Sequence, residues 1–124
     1  MRDALQIRCR LEPESAAEAT RRKDDALVED LAQLVARMED AFSDPSAFLV
    51  ADVAFHERIA RAAGNRVLLR VIEAMREPAY SGSEFTSQTP AALRSGFEDH
   101  LRIHRAIAGG DPETVRSTTA RHGT

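Results

Sequence analysis

The sequence predicts an all-α protein, an antiparallel helical bundle of about six helices. Proline and glycine at Pro13, Asp44-Pro45, Gly64-Asn65, Pro78, Pro90 and Gly109-Gly110-Asp111-Pro112 divide the chain into segments of helix length. Within those segments apolar residues recur every three and four positions, as one face of a helix requires. No stretch shows the alternation of Val, Ile, Thr and aromatics that a half-buried strand needs. With 124 residues, 43% hydrophobic and 30% charged, the chain suits one domain, residues 1–124, around one core.

Residues 3–23 are alanine-rich and read as helix around a break at Glu12-Pro13, because proline removes a helical donor and crowds the preceding turn. From Leu27 the positions Leu31, Leu34, Val35, Met38 and Phe42 mark one amphipathic face, and this helix should stop near Ser43. Asp44 is a good N-cap and Pro45 a good first-turn residue, so the next helix runs to about Ala63, with Gly64 as its stop. Val67, Leu68, Val71, Ile72 and Met75 mark a helix ending before Pro78. Residues 79–89 are small and polar and read as a loop. Leu93, Phe97, Leu101, Ile103 and Ile107 belong to a long helix closed by Gly109-Gly110, and Asp111-Pro112 starts a last helix carrying Val115.

Composition excludes several functions. No run approaches the roughly 20 apolar residues of a membrane span, and Met1-Arg2-Asp3 does not open a signal peptide, so a cytoplasmic protein with no membrane partner is expected. One cysteine, Cys9, cannot make an internal disulfide and reads as a small buried hydrophobe. Net charge is -3, and the basic run Arg21-Arg22-Lys23 lies at an expected helix end, where cations complement the macrodipole. These residues carry no nucleic-acid footprint of their own.

The chemistry lies on two helices. The apolar stripe Phe48, Leu49, Phe55, Ile59 also contains Asp52 and His56, four residues apart and therefore able to reach one ion. A carboxylate on a core-facing stripe demands a cation, an arginine, several donors or a metal. His100 and His104 repeat the anomaly on the apolar side of the later helix. His100 precedes Gly109 by nine residues and His122 follows Asp111 by eleven, so at 1.5 Å per residue they lie roughly 13 and 16 Å from the turn and sit level on neighbouring antiparallel helices. Asp52, His56, His100 and His122 thus form a candidate site of one oxygen and three nitrogens, suited to Zn, Ni, Mn or Fe(II). The plainer alternative is an Asp52-His56 ion pair, a core His100 and an exposed His122.

These residues also fall in a known pattern. Asp52-Val-Ala-Phe55-His56-Glu-Arg-Ile59-Ala60-Arg-Ala62-Ala63-Gly64-Asn65 resembles the D-x-x-F-H-x-x-I-A-x-A-A-G-N signature of the FadR C-terminal (FCD) ligand-binding domain of GntR-family transcription regulators. His100-Leu-Arg-Ile103-His104-Arg-Ala106-Ile107-Ala-Gly-Gly110-Asp111 resembles that family's H-x-x-I-x-x-A-I-x-x-G-D, and Arg8-Cys9-Arg10-Leu11-Glu12-Pro13 its opening R-x-x-L-E-P. His122 stands at the family's closing histidine. The resemblance implies an all-helical homodimerising bundle, a divalent metal ion held by Asp52, His56, His100 and His122, and a small organic acid effector beside it. It also implies effector contacts for Arg8, as a carboxylate clamp, and for Asn65, for which a helix cap is the competing role. His104 occupies a position that is not a ligand in the family.

Two departures stand out. The winged-helix domain that precedes this one in the family has no counterpart in these residues, so the chain reads as a fragment or a truncated product that would meet DNA only through that domain. Thr118-Thr119 stands where an apolar residue is common, and the chain ends soon after His122. The expected function is effector sensing without catalysis. Two rivals are a metal-dependent hydrolase with His104 as base, and a metal-free dimerisation bundle.

Overall fold

The computed structural model describes the backbone of residues 2–74 and 89–122, with side chains from 10 to 74 and from 89 to 121. Among these residues there are six helices and no strand: α1 (Arg2–Arg21), α2 (Asp25–Glu39), α3 (Pro45–Ala63), α4 (Arg66–Ala74), α5 (Pro90–Gly109) and α6 (Pro112–His122). The all-α bundle expected from the punctuation is the one that forms. Met75, Pro78 and the loop read over 79–89 lie outside the described residues, apart from Thr89.

Local chemistry sets most helix ends. Asp24 caps α2 through Ala26 N, Asp44 caps α3 through Ala47 N, and Thr89 caps α5 through Ala92 N, each supplying an acceptor to a donor the helix cannot satisfy. Gly64 and Gly110 end α3 and α5 in the left-handed region, at φ 73° and 80°.

Three expectations need correction. The break at Glu12-Pro13 is absent, since α1 continues through Pro13. A proline inside a helix costs about 3 kcal/mol. The buried run Ala16, Ala17 and Ala19, at most 1% exposed, offsets this by seating α1 against α3, α4, α5 and α6. Helix α2 ends at Glu39 and not near Ser43, while Phe42 reaches α5 from the turn and stacks edge-on against Phe97 with 5.6 Å between centroids. Finally, α3 has more than one apolar face. Phe48, Phe55 and Ile59 join the main core with Leu27, Leu31, Met38, Leu93 and Ile103, whereas Val53 and Ala60 join Leu68 and Ile72 of α4 in a second cluster.

Helices α1 and α2 each pack on both α3 and α5, which therefore face one another across the middle of the bundle. That central gap is where the polar residues meet.

Candidate metal centre

Asp52 and His56, one turn apart on α3, point across the bundle at His100 of α5. His100 Nε2 lies 2.7 Å from Asp52 Oδ1 and 3.2 Å from His56 Nε2, and His56 Nε2 lies 3.2 Å from the same Asp52 oxygen. Both imidazoles are buried, while the Asp52 side chain keeps 15% of its surface exposed. The aromatic ring of Phe55 meets His100 edge-on at 4.9 Å and His56 at 5.5 Å, fixing both rings from one side.

The outer nitrogens decide the chemistry of the inner ones. His100 Nδ1 donates to the Gly96 carbonyl at 2.6 Å, one turn back on α5. His56 Nδ1 lies 2.5 Å from Glu12 Oε1 on α1, an ion-pair contact outside hydrogen-bond geometry, and a carboxylate that close favours a proton on Nδ1. In a neutral imidazole only one nitrogen carries a proton, so both Nε2 atoms present lone pairs. Three acceptors consequently converge on one point. Bare, they repel; they need added protons or a cation between them. Two of the three separations, both 3.2 Å, fit the donor spacing around a divalent ion, where bonds of about 2.1 Å put neighbouring ligands about 3.0 to 3.4 Å apart, while His100 and Asp52 stand closer, at a hydrogen-bond distance of 2.7 Å. Within the described residues this is the group of His, Cys, Asp and Glu able to hold a metal. When protons rather than a cation fill the centre, burial would push the Asp52 carboxyl up, yet charge and hydrogen bonding from the protonated His100 and then His56 hold it well below the usual carboxylate range.

The remaining sequence-derived residues divide. The side chains of His122, at the end of α6, and of Arg8 and Cys9, in α1, lie outside the described residues. Asn65 caps α4, its Oδ1 accepting from Leu68 N at 2.9 Å. His104 turns away to α2, where Nε2 donates to the Val28 carbonyl at 3.1 Å. Sequence reasoning missed Glu12 as a partner of His56. The signal was present, because Glu12, Ala16 and Ala19 share one stripe of α1 and a carboxylate on it needs a donor. Beside His56 and Glu12 a cavity of about 10 Å³, lined also by Ser15, Leu68 and Thr119, has room for no more than one water-sized group.

A family model described as the FCD domain matches residues 3–124. The chain belongs to the FCD domain family. A solved structure similar to this FCD domain is Streptococcus agalactiae GntR, 27% identical, with a TM-score of 0.74. The match covers 98% of this chain and 55% of that one, so the FCD domain spans about half the length of its solved relative. No curated protein matches it by sequence. No described helix is long and apolar enough to cross a membrane.

Proposed function

We propose that this FCD domain is the effector-sensing and dimerisation part of a GntR-type transcription regulator. Asp52, His56 and His100 would hold a divalent cation, with His122 as a fourth ligand from α6. The cation's task is to grip a small organic acid, not to activate a reaction, and the winged-helix domain that reads DNA would lie outside residues 1–124. The observation that carries the metal reading is the convergence of two imidazole lone pairs and a carboxylate oxygen, each outer nitrogen being committed to Gly96 or Glu12. Bundle cores build metal sites in this way, from side chains on facing helices.

A metal ion with four protein ligands keeps positions for oxygen from an incoming acid. Asp52, the partly exposed member, marks the side open to that ligand, because the cavity on the His56 side is too small for a carboxylate. Arg8 is the side chain we assign to the effector's far end, by its position in the family pattern, whereas Asn65 is used as the cap of α4.

Metal analysis of purified protein beside His100→Ala, His122→Ala and their double variant tests this reading, followed by thermal melts against small carboxylates. About one divalent ion per chain, lost in the His100 variant, supports the site, and loss in the His122 single variant supports the fourth ligand. An acid present at 100 times its Kd should stabilise the loaded protein by about 2.7 kcal/mol. Metal-free protein would reduce the cluster to a buried ion pair, and a panel without any shift would remove the effector.

A further inference from the structure

The contact between His56 and Glu12 joins the candidate metal centre to a third helix. Glu12 Oε1 is 2.5 Å from His56 Nδ1, with the imidazole 2% and the carboxylate 12% exposed. Glu12 lies one turn before Ala16 on the stripe that seats α1 against the rest of the bundle. Water reaches this pair poorly, so the carboxylate's charge acts strongly on the imidazole there, as a close ion-pair contact rather than an in-line hydrogen bond. It dictates which nitrogen of His56 bears the proton, and thereby which one is free to bind a cation.

We propose that Glu12 is a positioning residue of the cation site: its carboxylate holds His56 with Nδ1 protonated and Nε2 aimed at Asp52 and His100, so that cation occupancy and the seating of α1 are coupled. The proposal rests on the metal reading of the cluster. Removing the carboxylate frees the His56 ring to change tautomer and tilt, which weakens cation binding although Glu12 touches no cation. The linkage also runs the other way, because a cation that fixes His56 holds Glu12, and with it α1, in place.

Zinc affinity measured by competition with a chromophoric chelator, on the wild type, Glu12→Gln, Glu12→Ala and the control Glu14→Gln, tests this. Carboxylates that orient a metal-bound histidine are worth roughly 10- to 100-fold in metal affinity. Glu12→Gln keeps an acceptor without the charge and should bind zinc about tenfold more weakly; Glu12→Ala should approach the upper figure. Glu14, which pairs with Arg116 on the surface, carries the same charge on the same helix and should leave affinity unchanged. Amide exchange in α1 should slow on adding zinc to the wild type, and this slowing should vanish in Glu12→Ala. If Glu12→Ala does not fold, Glu12→Gln alone decides. Equal affinities in the wild type and Glu12→Gln overturn the positioning role while leaving the metal site standing. A wild type that takes up no zinc overturns the metal reading itself, and the proposal with it.

Discussion

Two nitrogens 3.2 Å apart, both facing one carboxylate oxygen, define the centre of this protein at the scale of single residues. What gives that arrangement meaning is the pair of outer contacts, to Gly96 and Glu12, that leave lone pairs facing inward. A second network shows the same chemistry without a ligand. Arg58 of α3 donates to Asp30 at 2.8 Å and to Asp24 at 3.0 Å, tying α3 to the start of α2. The hydrogen bond from Arg58 holds the Asp24 carboxyl below its ordinary value. A depressed folded-state value means that the ion pair stabilises above the unfolded carboxylate pKa of about 3.9 and fades as pH falls below it. Arg58→Met should therefore melt a few degrees below the wild type at pH 7. The gap should close as melts are repeated from pH 4 downward, and a gap independent of pH would mean that the arginine acts through packing alone.

At the scale of elements, the two described glycines nearest the centre make opposite predictions. Gly96 lies inside α5, and a Cβ added there would meet Phe48 Cζ at 3.6 Å, an ordinary contact. The carbonyl that His100 uses is backbone and survives substitution. Gly96→Ala should thus raise stability by about 0.5–1 kcal/mol through helix propensity, without loss of bound metal. Gly64 sits at φ 73°, where an L side chain is strained, and its Cβ would approach Arg22 Nη1 at 3.0 Å. Gly64→Ala should cost about 1–2 kcal/mol. Denaturant melts of both variants check the signs, and a stabilised Gly64→Ala would contradict the left-handed stop assigned to α3. The elements themselves were readable where the chain carries its own punctuation: Asp44-Pro45, Gly64, Pro90 and Gly110 bound α3 and α5 as the residues suggest. Pro13 was misread because local propensity opposes the helix, and only the close seating of Ala16, Ala17 and Ala19 overrides it.

At the scale of the whole molecule, α3 is the helix around which the bundle closes. It faces the main core on one side and the α4 cluster on another, and its polar pair fills the gap toward α5. The dimer we propose belongs to this scale. Sedimentation should show a particle of two chains, and Val50 and Val67, the large apolar side chains most exposed among the described residues, are the first positions to test for its interface. A Val67→Arg or Val50→Arg variant that turns the particle monomeric would place the contact. A wild type that sediments as one chain would remove dimerisation from the proposed function.

The all-α class, the helix order and the juxtaposition of Asp52, His56 and His100 were determined by the sequence itself. Helical periodicity and caps are local properties, and a buried carboxylate beside histidines announces its need for a partner. Only the tertiary structure decided that Glu12 completes the group, that His104 serves α2, and that Asn65 is used as a cap. Those outcomes depend on which helices lie side by side and at what height. That is set by the sum of many weak packing contacts, and no short stretch of sequence records it.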